Sequence, residues 1–228
     1  MTAPPGAVVI AAGLGMRLRP LTELYAKPVL PLGGVPVVAR LMRELAVAGL
    51  AEATVVVGHL GDQVRRLLGD GGGFGLSLRY ATQAEPLGSA HAAATAEAEP
   101  PYLVVGADTV FGPGDVRRFT TTFAAAGAGG ALAVRPQEGG NVACADGFVR
   151  HVVTRGGTHT AAPLWAVGAA LAERVAALPG DPPYELATAF QAAIDAGERV
   201  ASIEIGATRD LTSPVDLLLE NFPYLRDL

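Results

Sequence analysis

AVVIAAGLGMRLRPLT, residues 7–22, joins a short apolar run to a turn rich in glycine and arginine. The apolar half, residues 7–11, has the length and composition of a buried strand. Gly13 and Gly15 follow this strand directly, and a backbone without Cβ atoms can bring its N–H groups close to an anion. The stretch therefore predicts a buried strand that ends in an anion-binding turn.

A basic island follows the turn, and its last member is unusual. Lys27 is the only lysine among the 17 basic residues of the chain. Its ammonium is a compact point charge, which a planar guanidinium does not replace. Arg17, Arg19 and Lys27 face one acidic neighbour, Glu23, although the whole chain has a net charge of -5. The island predicts a small anionic ligand, whereas the net charge argues against nucleic acids and membranes as partners.

Strand-like and helix-like segments alternate along the first half of the chain, which predicts a mainly parallel sheet covered by helices. The predicted strands are residues 7–11, 54–58, 76–82 and 102–107, and the predicted helices are residues 36–50, 61–68 and 89–98. After residue 130, shorter strand-like pieces predict an antiparallel or mixed extension. We expect a single domain, residues 1–228, because the sequence shows no internal repeat and no linker. A mainly parallel sheet covered by helices would make this domain a Rossmann-like three-layer α/β/α sandwich.

The first strand and the first long helix are separated by residues 12–35, which contain Pro20, Pro28 and Pro31. These prolines predict an irregular connection, and a connection of more than ~15 residues inside a domain is usually functional. Two common phosphate loops are excluded. Leu18 stands where a dinucleotide-binding motif has its third glycine, and the glycine spacing of a Walker loop is absent.

Composition limits the remaining classes of protein. Half of the 228 residues are hydrophobic, which excludes a disordered chain. Cys144 is the only cysteine, so neither an internal disulfide nor a cysteine-based zinc site can form within the chain. The N-terminal apolar run is far shorter than the ~20 residues that span a bilayer, and no basic region precedes it. We expect a soluble, cytoplasmic protein, for which homo-oligomers stay an open alternative.

The glycine turn is part of a longer pattern. AAGLGMRLRPLT at 11–22 is followed by AKPVLPLGGVP at 26–36, QAEPLGSAHA at 83–92, VVGADTVF at 104–111 and TRDLTSPVDL at 208–217. In this order the segments resemble the sugar-1-phosphate nucleotidyltransferases, whose signature reads AAGxGxRLxPLT and then PKPLLPVxGxP. Those enzymes form a nucleoside-diphosphate sugar from a nucleoside triphosphate and a sugar 1-phosphate, and they release pyrophosphate. The resemblance implies the nucleotide-diphospho-sugar transferase fold and this reaction.

The resemblance also implies roles for individual residues. Arg17 and Lys27 match the family's catalytic charges, which hold the triphosphate and stabilise the transferring phosphoryl group. The positions that match the family's contacts with the nucleotide are Ala12, Gly13, Gly15, Met16, Arg17, Gln83, Pro86, Gly88 and Ser89. Residues 83–92 resemble the family's base-reading segment, which implies that Gln83, Gly88 and Ser89 contact the nucleobase.

Two aspartates follow predicted strands. Asp108 comes directly after YLVVGA, and Asp210 comes shortly after VASIEI. Open parallel sheets bind ligands at the carboxyl ends of their strands, and two carboxylates there can hold Mg²⁺. An Asx turn is the alternative for each, and the family resemblance implies the metal role. Asp216 lies three residues after Ser213, which predicts the acidic member of a helix capping box.

The acceptor side departs from the family pattern. The family's Glu-Lys-Pro and Asn-x-Gly motifs are absent from residues 153–159 and 160–167. Arg155 is either a ligand of the acceptor phosphate or an exposed hairpin residue, and Trp165 either lines the acceptor site or fills the core. Two alternatives to a sugar-1-phosphate enzyme stay open. One is a cytidylyltransferase that acts on phosphocholine or another small phosphate ester, and the other is a catalytically silent nucleotide-binding regulatory module.

Overall fold

Strands and helices alternate along the chain, as the sequence predicts. The structure is a computed structural model that describes residues 6–152 and 155–222. The strands are β1 (Gly6–Ala11), β2 (Pro31–Leu32), β3 (Val35–Pro36), β4 (Glu52–Val57), β5 (Ser77–Thr82), β6 (Tyr102–Gly106), β7 (Thr109–Val110), β8 (Gly130–Gly140), β9 (Ala143–Ala145), β10 (Phe148–His151), β11 (Gly157–Val167), β12 (Val200–Glu204) and β13 (Arg209–Asp210). The α-helices are α1 (Leu21–Leu24), α2 (Val37–Val47), α3 (Gly61–Leu68), α4 (Ser89–Thr95), α5 (Asp115–Ala126), α6 (Ala169–Ala176), α7 (Leu186–Asp195) and α8 (Pro214–Asn221).

Nine of these strands form one central sheet in the described part of the chain, in the order β5-β4-β1-β6-β11-β8-β12-β10-β9. β5, β4, β1 and β6 run parallel to one another, and β8 and β12 form a second parallel pair. β11 runs antiparallel between β6 and β8, and β10 runs antiparallel to β9 and β12. The predicted α/β class is confirmed, together with the mixed extension after residue 130.

Helices cover both faces of the sheet. Successive side chains of a strand point in opposite directions, so the apolar residues of a strand pack into two separate cores. Ala7, Val9 and Ala11 of β1 pack into one core with α2, α3 and α5. Val8 and the following Ala12 pack into a second core with α4, α6 and α7. Among the described residues, no helix has both the length and the apolar character that a membrane crossing requires. The two cores on opposite faces of the sheet confirm the predicted three-layer sandwich.

The connection after β1 is more regular than the sequence predicted. It contains α1, the β2–β3 hairpin and two 3-10 helices, Met16–Leu18 and Lys27–Val29. The prolines do not prevent this order, because they lie where a missing backbone donor is tolerated. Pro20 immediately precedes α1, Pro28 is inside the first turn of its 3-10 helix, and Pro31 begins β2.

A small apolar cluster supports this connection. Its buried members are Leu18, Leu30, Leu32, Val37 and Leu211. Leu211 directly follows β13, near the C-terminal end of the described chain. The cluster therefore attaches the segment after β1 to the segment that contains Asp210.

Leu41→Ala tests the core between α2 and the sheet. Leu41 is 1% exposed, and the cavity left by its side chain is expected to lower the free energy of unfolding by about 2–5 kcal/mol in urea titrations. Leu24→Ala is the matched control, because Leu24 on α1 is 70% exposed and its loss should change this free energy by less than about 0.5 kcal/mol. Equal effects of the two substitutions would contradict the assigned core.

Candidate active site

A cleft of about 480 Å³ lies at the edge of the sheet where β1 and β6 end. Several residues that the sequence analysis proposed line this cleft: Gly13, Gly15, Arg17, Lys27, Ser89, Asp108 and Asp210. The other proposed residues do not line it: Ala12, Met16, Gln83, Pro86 and Gly88. The structure thus brings the predicted charges and the glycine turn together, whereas most of the predicted base-reading segment lies outside the cleft wall.

Gly15 has a backbone conformation that requires glycine. Its φ is 63°, in the left-handed region, and a Cβ on Gly15 would lie 2.7 Å from Thr22 Cγ2. The Gly15 carbonyl accepts hydrogen bonds from Thr22 Oγ1 at 2.9 Å and from the Leu18 backbone N–H at 2.8 Å. The turn is therefore folded tightly against α1.

Lys27 and Asp108 form an ion pair in the cleft, in which Lys27 Nζ donates a hydrogen bond to Asp108 Oδ2. The Lys27 side chain is 14% exposed and that of Asp108 is 33% exposed. Charges withdrawn from water in this way require partners. A Cβ on Gly15 would lie 3.3 Å from Lys27 Cβ, so the lysine stem packs beside the glycine turn, as the sequence predicts.

Asp210 reaches the same cleft through a two-residue antiparallel ladder. β13 pairs with β7, so that Asp210 lies opposite Thr109, the residue after Asp108. Thr109 Oγ1 donates to Asp210 Oδ1 at 2.7 Å, and the Leu211 N–H donates to the Asp108 carbonyl at 3.1 Å. Asp108 and Asp210 are the carboxylates that line the cleft, so they are the residues that could hold a metal ion.

Asp216 caps α8, as the sequence predicts. Its Oδ2 accepts from the Ser213 N–H at 2.6 Å and from the Thr212 N–H at 3.0 Å, and the reciprocal bond from the Asp216 N–H to Ser213 Oγ completes a capping box. Burial raises the pKa of Asp216, but the hydrogen bonds from Ser213 and Thr212, together with the charge of Arg17, lower it below its ordinary value. The structural role of Asp216 is confirmed.

The segment around Gln83 has its own internal contacts. Gln83 is buried, its Nε2 donates to the Gly88 carbonyl at 3.1 Å, and it lies 2.9 Å from His91 Nδ1. Ser89 lines the cleft, while its Oγ donates to the Glu185 carboxylate and orders the start of α7. The contact of this segment with a nucleobase stays a prediction.

The wall contributed by β11 is apolar. Ala161, Ala162, Pro163 and Trp165 of this strand line the cleft. Trp165 is 9% exposed and packs edge-on against Phe190 with ring centroids 4.6 Å apart, so it fills the core and lines the cleft at once. Arg155 is exposed and is not among the lining residues.

Three side chains that the sequence analysis did not assign hold the connection after β1 in place. Thr22 bonds to Gly15, and its own carbonyl lies 2.8 Å from His59 Nε2. Gln63 on α3 bonds to the backbone of Leu24 and Ala26. Thr22 lies inside the RLRPLT motif and could have been assigned, whereas the positions of His59 and Gln63 depend on contacts between distant segments.

Parts of this chain are similar in sequence to known proteins. A family model described as nucleotidyl transferase matches residues 6–141. A glucose-1-phosphate thymidylyltransferase from Streptomyces griseus is 40% identical over 85 residues, which are 37% of this chain and 24% of that protein. CMP-5'-(3-aminopropyl)phosphonate synthase from Streptomyces rubellomurinus is 35% identical over 156 residues, which are 66% of this chain and 24% of that protein. Each match therefore spans about a quarter of the length of the curated relative.

The fold is also that of known structures. UDP-glucose pyrophosphorylase from Acinetobacter baumannii superposes with a TM-score of 0.82, over 96% of this chain and 93% of that chain. The two sequences are 18% identical, so this likeness concerns the fold alone. The nucleotide-diphospho-sugar transferase fold expected from the sequence is confirmed.

Gly15→Ala tests the turn. A left-handed alanine costs about 1–2 kcal/mol, and the added Cβ displaces Thr22, so the free energy of unfolding is expected to fall by at least that amount in urea titrations. Gly13→Ala is the control, because a Cβ on Gly13 meets no atom within 4 Å. A loss of stability in both variants, or in neither, would contradict the described turn.

Asp216→Asn tests the capping carboxylate. Because the folded-state pKa lies below the ordinary value of 3.8, the carboxylate stabilises the fold above that value, and its contribution is lost as the pH falls through the folded-state pKa. The thermal midpoint of Asp216→Asn should be lower than that of the unmodified protein at pH 7, and the difference should shrink as the pH falls below 3.8. Asp146→Asn removes the same charge from a side chain that is 87% exposed. The same pH dependence in both variants would refute the assignment.

Proposed function

The chain belongs to the nucleotidyl transferase family, and we propose on this basis that it transfers a nucleoside monophosphate from a nucleoside triphosphate to a sugar 1-phosphate. The products would be pyrophosphate and a nucleoside-diphosphate sugar. The observation that carries the proposal is the arrangement of Arg17, Lys27 and Asp108 around the glycine turn in one cleft. A cytoplasmic location is part of the same proposal, because nucleoside triphosphates and sugar phosphates are abundant there.

The proposed step is an in-line displacement at the α-phosphorus. A phosphate oxygen of the acceptor forms the new P–O bond, and the bond from the α-phosphorus to the bridging oxygen breaks, so that pyrophosphate leaves with the electron pair. The attacking oxygen is already anionic, so no side chain has to remove a proton. Positioning and neutralisation of charge account for most of the rate in this type of reaction. Arg17 and Lys27 supply the positive charge, and the backbone of Gly13 and Gly15 approaches the phosphates.

Mg²⁺ fits the donors of this cleft. Asp108 and Asp210 offer carboxylate oxygens, which this ion prefers. Within the described residues, no group of three or more His, Cys, Asp or Glu side chains could hold a metal, so the remaining ligands would come from the substrate and from water. When bound, the ion would neutralise charge on the triphosphate. Asp108 and Asp210 would hold it, and Lys27 would balance the charge of Asp108.

A second class of acceptor is favoured by the apolar wall of Ala161, Pro163 and Trp165. A hydroxyl-rich sugar gains no side-chain hydrogen bond from this wall, whereas a small phosphate ester or phosphonate with a cationic group could lie against the Trp165 ring. The relative that aligns over 66% of this chain is named for a phosphonate product linked to CMP. The second candidate is therefore cytidylyl transfer to a small phosphate ester or phosphonate.

A matrix of nucleoside triphosphates and acceptors, with pyrophosphate release as the readout, tests both candidates. Glucose 1-phosphate and N-acetylglucosamine 1-phosphate represent the sugars, and phosphocholine and 3-aminopropylphosphonate represent the small acceptors. Lys27→Ala is expected to lower turnover by about 10²-fold or more, as the loss of an electrostatic stabiliser does elsewhere, and EDTA should stop the reaction.

Arg19→Ala is the matched control, because Arg19 belongs to the same basic island but does not line the cleft, and it pairs with Glu23 at 3.9 Å. Its turnover should stay within about twofold of the unmodified protein. Pyrophosphate release with phosphocholine and CTP, but not with any sugar 1-phosphate, would select the second candidate. No release with any pair, or full activity of Lys27→Ala, would refute the proposal.

A further inference from the structure

Gln63, in the first turn of α3, uses both ends of its side-chain amide to hold the backbone just before Lys27. Its Oε1 accepts a hydrogen bond from the Ala26 N–H at 2.8 Å, and its Nε2 donates to the Leu24 carbonyl at 2.8 Å. These partners lie 37 and 39 residues away in the sequence. The backbone of this loop therefore cannot shift relative to α3 without breaking both bonds.

The peptide that Gln63 holds leads directly into the lysine. Ala26 is buried, and a buried N–H without a partner would cost about 1–3 kcal/mol. The Ala26 carbonyl accepts from the Val29 N–H at 3.0 Å, which closes the 3-10 turn that contains Lys27. The hydrogen bond from Ala26 to Gln63 and this turn together determine where the Lys27 side chain begins.

The backbone at this point has the conformation that a proline would impose. Ala26 has φ -58° and ψ 134°, and Tyr25 before it has φ -128° and ψ 129°, the extended region favoured before proline. The family signature that this segment resembles has proline here. Alanine lacks the ring that restricts φ, but it has the N–H that proline lacks, and Gln63 binds that N–H.

We propose that Gln63 is a positioning residue for Lys27, and that its hydrogen bond to Ala26 replaces the restraint that a proline ring would supply. The inference rests on the proposed function, because its consequence is a slower transfer step. Gln63 itself does not line the cleft. It acts by keeping the Lys27 ammonium beside Gly15 and Asp108, and a displacement of about 1 Å in such a group can cost on the order of 10²-fold in rate.

Gln63→Ala and the double variant Gln63→Ala with Ala26→Pro test this role. In the single variant, kcat for pyrophosphate release is expected to fall about tenfold or more, with a smaller change in KM for the nucleoside triphosphate. Hydrogen exchange of a peptide that covers residues 22–29 should become faster. In the double variant, the proline ring restrains φ and requires no hydrogen bond, so kcat should recover to within about threefold of the unmodified protein.

Gln191→Ala is the matched control. Gln191 also uses both ends of its amide, accepting from the Val152 N–H at 2.9 Å and donating to Asp195 Oδ1 at 2.8 Å, but it lies on α7, away from Lys27. Its removal should lower the thermal midpoint about as much as Gln63→Ala does and leave exchange over residues 22–29 unchanged.

The possible outcomes separate this inference from the proposed function. If the unmodified protein releases no pyrophosphate, the proposed function fails, and unchanged exchange over residues 22–29 in Gln63→Ala would independently overturn the restraint. If the unmodified protein is active, an unchanged kcat in Gln63→Ala overturns the positioning role. If the double variant folds but its kcat stays as low as that of Gln63→Ala, the inference that the hydrogen bond from Ala26 to Gln63 replaces the restraint of a proline ring is overturned.

Discussion

The ion pair between Lys27 and Asp108 is the contact on which the cleft depends. It joins the loop after β1 to the short segment after β6, and these two strands are parallel neighbours in the sheet. The Lys27 side chain is largely withdrawn from water and that of Asp108 is one-third exposed, so the pair compensates most directly for the burial of the ammonium. Each group therefore keeps the other in the cleft. An ammonium and a carboxylate at this point can also attract a phosphate group and a hard metal ion, respectively.

The rest of the site consists of short contacts that prevent this pair from moving. The β7–β13 ladder holds Asp210 opposite Thr109, and Leu211 anchors the same segment in an apolar cluster beneath the loop. On the other side, Thr22 closes the glycine turn, and Gln63 holds the peptide before Lys27. The sheet edge is the common support. Catalysis by charge stabilisation requires such support, because the donors must already point to the place where charge develops.

The two sides of the cleft differ in chemistry. The side after β1 and β6 is charged and hydrogen-bonded, whereas the β11 side presents Ala161, Pro163 and Trp165. The charged side matches the family pattern closely, and the β11 side is where the sequence departs from it. This division is physically reasonable for the proposed reaction, because every substrate pair shares the triphosphate, while the nucleobase and the acceptor vary. In the proposed reaction, recognition of the acceptor could therefore change without disturbing the charged residues after β1 and β6.

The sequence by itself determined the fold class, most of the residues on the charged side of the cleft and the cap of α8. These features depend on local patterns: the apolar run of residues 7–11, the glycines that follow it, the lone Lys27 and the Ser213–Asp216 spacing. The prediction of an irregular connection over residues 12–35 was wrong. The helices and strands of this connection are each too short to produce a periodic pattern in the sequence. Only the tertiary structure decided that Asp210 pairs with Thr109, that Gln63 restrains Ala26, and that Trp165 belongs to both core and cleft. Each of these depends on which distant backbone segments become neighbours when the sheet forms, and that information is not present in any local stretch of the chain.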